Sequence, residues 1–381
     1  MRFERRLLAR DRGAGVLQKL WAIPWSFVVL VGLIAAVGYV ALYSAGGGAA
    51  EPYAGRHAMR FAFGLVMMIG LAMLDIRIIA RLAWVGYAGG IALLGFVLVA
   101  GQVGGGAQRW IDFGVLQLQP SELMKILLVI ALAAWFHRAS HERVGNPLFL
   151  IPPLLAILLP VGLILRQPNL GTALIVLALG GIIFFSAGVR LWKFALIAGT
   201  AAVIAPIAYE SLHAYQRARI TTFLDPESDP LGAGYNIIQS KIALGSGGIW
   251  GKGFLQGTQG HLNFLPEKQT DFIFTMWAEE FGFVGAISLL TLLAGVILFG
   301  FLVALRCRHQ FGRLVAIGLA SNFFLYVFVN VAMVTGTIPV GGVPLPLVSH
   351  GGSAMLTVML GFGVLMSVHV HRDADLGAAR D

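Results

Sequence analysis

The chain has 381 residues, a net charge of +9, and only 12% charged residues against 58% hydrophobic ones. Soluble domains carry roughly 25% charged residues, so this composition excludes an ordinary water-soluble globule and points to a membrane. The basic excess does not imply nucleic acid, because Lys and Arg cluster between apolar runs as positive-inside topology requires, and the single Cys307 excludes an internal disulfide or a multi-thiolate metal site.

In chain order, residues 1–20 are basic and amphipathic, with Arg2, Arg5, Arg6, Arg10, Arg12 and Lys19, and read as a cytoplasmic tail. The first apolar run has the length of a full span and no small-residue cleavage pattern after it, so no cleavable signal peptide is expected. The hydropathy pattern predicts an all-α polytopic membrane protein with ten transmembrane helices. The spans fall near 24–45, 57–74, 79–100, from 120, and near 147–165, 170–187, 194–210, 271–304, 314–335 and 347–369. Pro120 is a favoured first helical residue, with Glu122 in the first turn. Residues 211–270, between spans seven and eight, form the one long polar connection. Its spread of aromatic residues argues against disorder. The whole of 1–381 reads as one membrane domain.

Ten spans place both termini on one side. Roughly 17 of the 27 Lys and Arg then fall on that side, which makes it cytoplasmic. The loops at 101–119, 211–270 and 336–346 face outward.

The densest polar stretch is 245–285. Its glycine run around Lys252 resembles a phosphate loop but fails the test: GxxxxGK must be followed by Ser or Thr, and here Gly253 follows. Nucleotide binding is therefore not expected. Asp271 stands at the outer start of a span, where a helix-capping role and a catalytic role both fit. Glu279 and Glu280 lie about 12–13 Å further along the predicted helix, too far to pair with it. Intramembrane acids are costly and are either functional or paired with Lys or Arg. Glu122, Glu279 and Glu280 are assigned to structural roles. Arg109 and Trp110 fit either interfacial anchoring or ligand contact. Lys125 is embedded one turn into a span, where a cavity-facing ammonium could meet a phosphate. The histidines show no zinc-site spacing.

SGGIWGKGFLQGTQGHLNFLPEKQTDFIFTMWAEEFGFVG resembles the signature of the shape, elongation, division and sporulation family. GAQRWIDFGVLQLQPSELMK, QPNLGTA and PVGGVPLPLVSHGGSAM are similar to three more of its segments, in the family's order. The segment 339–344 lacks the lysine of division-type members, so the resemblance is to the elongation type. Two positions depart from the family pattern: Asn169 replaces an aspartate and His350 a tyrosine.

The resemblance implies a glycosyltransferase that polymerises lipid II, the undecaprenyl-diphosphate disaccharide-peptide, into peptidoglycan. It places the essential aspartate at Asp271. Arg109, Trp110, Lys125, Gln239, Lys252, Glu267, Lys268 and Ser349 are the candidate substrate contacts. A divalent cation, Mg²⁺ or Mn²⁺, is a candidate cofactor, with Asp271 a candidate ligand. The expected partners are lipid II, membrane lipid, a class B penicillin-binding protein with transpeptidase activity, and the elongation machinery. Two other functions fit many spans with intramembrane charge: a transporter that flips lipid II, and a non-catalytic scaffold for wall assembly.

Overall fold

The computed structural model describes residues 16–376, apart from 105–106, 113–116, 138, 211–216, 218–220, 226–232, 263, 266 and 340. Most of the predicted basic tail, residues 1–15, lies outside the described residues, as does part of the 211–270 connection. A short helix α1 (Val16–Ala22) leads into α2 (Trp25–Ala45), α3 (Ala54–Met73) and α4 (Ile76–Ala100). A small sheet follows: β1 (Gln102–Gly104), β2 (Ala107–Asp112) and β3 (Gln117–Leu118). Then come α5 (Pro120–His137), α6 (His141–Gly145), α7 (Pro147–Arg166), α8 (Leu170–Ser186) and α9 (Leu191–Glu210). The last elements are α10 (Ala233–Ser246), α11 (Thr258–His261), α12 (Ile273–Arg306), α13 (Gln310–Val334) and α14 (Gly352–Val370).

The molecule is a polytopic helical membrane protein. Among the described residues, eight helices are long and apolar enough to cross a bilayer: α2, α3, α4, α5, α7, α12, α13 and α14. Two shorter apolar helices, Leu170–Ser186 and Leu191–Ile204, occupy the places of the sixth and seventh predicted spans. α5, α13 and α14 are the most deeply buried and form the centre of the bundle. α14 packs along α3, α12 along α13 and α2, and α5 along α4 and α13. Their outer faces carry Val29, Val66, Val85 and Leu305, which meet lipid.

Two features differ from the sequence expectation. The 102–118 segment is not an irregular loop but a three-stranded antiparallel sheet, pairing Gln102 with Trp110 and Ile111 with Leu118. It satisfies backbone groups of a connection that reaches back over the bundle end, where neither helix nor lipid would pair them. The 211–270 connection contains α10, tied down where Ser240 Oγ donates to the Val334 carbonyl at 2.7 Å and lies 2.8 Å from Thr275 Oγ1.

The glycine run has a structural explanation. α12 is broken at Gly282, whose φ of 66° and ψ of −163° are non-helical. The opened backbone groups pair with the glycine loop. Lys252 N–H and Gly253 N–H donate to the carbonyls of Glu279 and Glu280, each at 3.0 Å. Phe283 and Val284 N–H donate back to Gly248 and Ile249, at 2.9 and 3.1 Å. Gly251, at φ +83°, lies so close to the Glu280 carbonyl that a Cβ there would collide with it.

Candidate active site

At one end of the bundle a cavity of about 380 Å³ gathers residues from six stretches of the chain. Arg109 and Trp110 come from β2, Glu122 and Lys125 from α5, Glu267 and Asp271 from the turn before α12, and Tyr326 from α13. Asn169, His350 and the first residues of α14 complete the wall.

Asp271 is held by its backbone. Asn330 Nδ2 donates to the Asp271 carbonyl at 2.9 Å and to the Val343 carbonyl at 2.8 Å. Ser349 Oγ donates to the Thr270 carbonyl at 2.6 Å, and His350 N–H to the Gln269 carbonyl at 2.7 Å. The 269–271 turn is thus stitched to the 343–350 loop. A Cβ on Gly342 would stand 3.5 Å from Asp271 Oδ2, so the carboxylate lies against that loop's backbone. Phe272 occupies the N-cap position of α12, with no side-chain cap, so Asp271 stands one residue outside the helix. Four residues earlier, Glu267 sits at φ +54°, a conformation disfavoured for a residue with a Cβ. Its carboxylate accepts a hydrogen bond from Thr270 Oγ1 at 3.0 Å.

Glu122, Lys125 and Tyr326 form a buried ring. Lys125 Nζ donates to Glu122 Oε1 at 2.7 Å and also to the Tyr326 hydroxyl, which donates to Glu122 Oε2. Lys125 is only 1% exposed, and a buried charge of this kind is tolerable when paired and hydrogen-bonded. Arg109 is anchored too: Nε donates to the Gln167 carbonyl at 3.0 Å and Nη2 to the Pro168 carbonyl at 2.5 Å. Asn169 caps α8, accepting from Thr172 N–H at 3.3 Å. Asn is among the preferred helix caps, so this side chain has a local structural role.

His350 is half-buried at the cavity wall. Its ring lies 3.5 Å from Arg60 Nη1 and packs edge-on against Tyr53 at 5.2 Å. Burial, with Arg60 and Arg56 beside it, pushes its pKa down to about 4, so it is neutral at neutral pH. α14 begins beside it with Gly351 at its N-cap and no side chain capping it, and Gly351, Ser353 and Ala354 line the cavity. A 19-residue helix therefore presents its N-terminal amides there.

Other sequence candidates are not in this lining. Glu279 is buried and holds the glycine loop. Lys252 Nζ donates to it at 2.7 Å, Gln259 N–H at 3.0 Å and Gly260 N–H at 3.4 Å. Glu280 accepts from the Ser44 hydroxyl. Lys268 donates to the Gly260 carbonyl at 2.7 Å, and partial burial lowers its pKa. Gln239 is half-buried on α10, outside the lining. Ser349 braces the turn rather than lining the cavity. Sequence reasoning did not single out Tyr326 and Asn330. Their signal is two polar side chains four residues apart in a mostly apolar span, hence on one helix face.

Fold and cavity together define a polytopic membrane protein with a charged chamber at one end of a helical bundle. The chain belongs to the FtsW/RodA/SpoVE family of cell cycle proteins, whose profile it matches over residues 19–374. It is 46% identical over 319 residues to peptidoglycan glycosyltransferase MrdB of Escherichia coli K12, covering 82% of this chain and 84% of that protein. It is 38% identical over 323 residues to MrdB of Helicobacter pylori, covering 83% of each. Its fold is similar to the rod shape determining protein RodA of Thermus thermophilus, with TM-score 0.70, 32% identity, and coverage of 93% of this chain and 98% of that one. A chain from a peptidoglycan synthase complex, solved to show how polymerization and crosslinking are coordinated, matches with TM-score 0.81 and 34% identity. That match covers 93% of this chain and 99% of the other.

Proposed function

We propose that Asp271 is the general base of a peptidoglycan polymerase that works on lipid II at an outward-facing cavity. The chain is a peptidoglycan glycosyltransferase of the rod-shape-determining kind. The observation that carries the role of Asp271 is its placement: on the cavity wall, outside the helix it precedes, with its backbone fixed by Asn330.

The acceptor sugar's 4-hydroxyl attacks the anomeric carbon of the donor, the bond to diphosphate breaks, and the hydroxyl proton passes to the carboxylate. Negative charge grows on the departing undecaprenyl diphosphate. Arg109 and the uncapped start of α14 are the cationic and dipolar groups placed to receive it. Lys125 lines the same cavity, but its pairing with Glu122 makes that unit electrically neutral. Asp271 and Glu267 are the residues that would hold a Mg²⁺ or Mn²⁺ ion, whose role would be charge neutralisation of the diphosphate. Such ions are commonly bound by one or two carboxylates together with substrate phosphates.

Counting α8 and α9 as the sixth and seventh spans gives ten, and the distribution of Lys and Arg supports cytoplasmic termini with this cavity outside the cytoplasmic membrane. The similarity to a chain of a peptidoglycan synthase complex supports a class B penicillin-binding protein as partner. Purified protein given labelled lipid II tests the reading. Glycan polymer is the expected product. Translocation in liposomes without polymer would make the chain a transporter, and neither outcome would leave a scaffold.

A further inference from the structure

A second cavity, about 640 Å³, lies at the other end of the bundle. α5 carries Glu122 near its start and Trp135 near its end, and their 13-residue separation spans roughly 20 Å of helix. Nothing in the polymerase reaction uses this second space. Arg77 and Arg81 from α4 and Arg143 from α6 line it, against one acid among its lining residues, Asp375. Arg77 Nε reaches the Asp375 carbonyl at 3.3 Å. The remaining wall is aromatic: Trp84 and Trp135 meet edge to face at 6.0 Å, and Trp135 lies 5.3 Å from Phe149. The Trp135 indole N–H is buried without a hydrogen-bond partner. An indole nitrogen only donates, as does a guanidinium. The wall offers donors and positive charge, and so suits a ligand rich in acceptor oxygens.

The aromatic wall continues into apolar space. Trp84 packs edge-on against Tyr87 at 5.5 Å. Tyr87, Leu155, Ala156, Leu158 and Leu159 line a groove of about 520 Å³ between α4 and α7. Leu155 is 59% exposed and Leu159 51%, so the groove opens toward lipid. The Tyr87 hydroxyl donates to the Ala156 carbonyl at 2.9 Å and ties the two helices together there. A donor-lined basic chamber therefore adjoins a hydrocarbon-facing groove one helical turn away. That arrangement matches the head and the chain of one molecule.

We propose that this chamber and groove hold a single anionic phospholipid, with its phosphodiester among Arg77, Arg81 and Arg143 and an acyl chain between α4 and α7. A soluble phosphate would satisfy the arginines but leave the groove without a function, which is why the lipid is favoured.

The test uses the full chain in neutral detergent, read by native mass spectrometry and thermal unfolding. The probes are phosphatidylglycerol, phosphatidylcholine and inorganic phosphate. Phosphatidylglycerol should remain bound and raise the melting temperature, while the other two do neither. Each arginine near a membrane surface contributes about a fivefold factor to anionic-lipid attraction, so Arg81→Gln with Arg143→Gln should weaken retention roughly 30-fold. Leu155→Asn should weaken it with the arginines intact. Equal retention of phosphatidylcholine, or undiminished phosphatidylglycerol binding by the folded double variant, would overturn the proposal. Stabilisation by inorganic phosphate equal to that by phosphatidylglycerol would overturn the lipid assignment in favour of a free-phosphate site.

Discussion

Lys125 Nζ stands 2.7 Å from Glu122 Oε1, and both side chains are buried beneath the cavity that holds Asp271. Lys125→Ala would strand that buried carboxylate.

Lys125→Ala should therefore lower stability, by about 3–5 kcal/mol in the range seen when one partner of a buried pair is removed. Glu122→Gln combined with Lys125→Met removes both charges and should recover much of that loss. Thermal unfolding of Glu122→Gln, Lys125→Met and the double variant measures the coupling. A Lys125→Ala protein that melts with the parent would show the pair to be energetically idle.

Asp271→Asn keeps shape and most hydrogen bonding but gives up the carboxylate's basicity. The variant should be folded and membrane-inserted, with polymerisation reduced about 10²–10⁴-fold, the usual cost of losing a general base. Glu267→Gln is the comparison and should be milder. Gel-resolved glycan from labelled lipid II is the readout, with size-exclusion profiles as the folding check. A folded variant within about threefold of parental rate, well short of the general-base range, would remove Asp271 from catalysis.

His350 predicts an acid sensitivity. Its pKa is lowered to about 4 in the folded chain from an ordinary 6.5. Between those values the unfolded chain binds the extra proton and the folded one does not, so stability falls as pH drops from 6.5 toward 4. Above 6.5 the group has no effect. His350→Tyr removes this contribution, so the parent should lose more melting temperature than the variant between pH 7 and pH 4.5. Parallel pH curves for the two proteins would refute the assignment.

Gly282→Ala should undock the glycine loop. A Cβ there would meet the Gly251 nitrogen and, at 2.5 Å, the Ile249 carbonyl, and φ is +66°. Overpacking of this kind costs about 1–3 kcal/mol. Trypsin should then cut after Lys252, whose amine is otherwise tied to Glu279. Gly245→Ala is the control, since it is helical and a Cβ there meets nothing within 4 Å. Equal protease resistance in both variants would mean the contact with Gly251 is unimportant.

Membrane orientation is checked with a reporter fused after Gln259. It should be active only as an extracytoplasmic fusion, in line with the basic inner loops. Cytoplasmic activity would invert the proposed topology.

Much of this was legible in the sequence because bilayer thickness imposes a length on each span. Pro120 and Arg306 mark helix ends that composition alone suggests. Arg109, Trp110, Lys125, Glu267 and Asp271 were among the candidates the sequence offered and the cavity gathers them, whereas Gln239, Lys252, Lys268 and Ser349 lie outside its lining. The misses have a common cause, which is pairing over long sequence distances. The β1–β3 sheet depends on pairing register between short segments, not on a strong local alternation. Tyr326 lies 204 positions from Glu122, and no local pattern announces that contact. The glycine run looked like a ligand loop because its real partner, the break at Gly282, comes some thirty residues later.

The docking of 248–253 onto 279–284 turns the intervening chain into a closed arc. Its two ends are pinned by the 3.0 Å bonds from Lys252 and Gly253 to Glu279 and Glu280. Residues 254–278, 25 in all, must fit within it, and Asp271 is one of them. The carboxylate's position is thus set by how much chain the arc contains as well as by what it touches. Adding or removing one residue in 254–262 would shift Asp271 against the 343–350 loop while leaving every residue around the cavity unchanged. Across this arc the constraint falls on length as firmly as on identity.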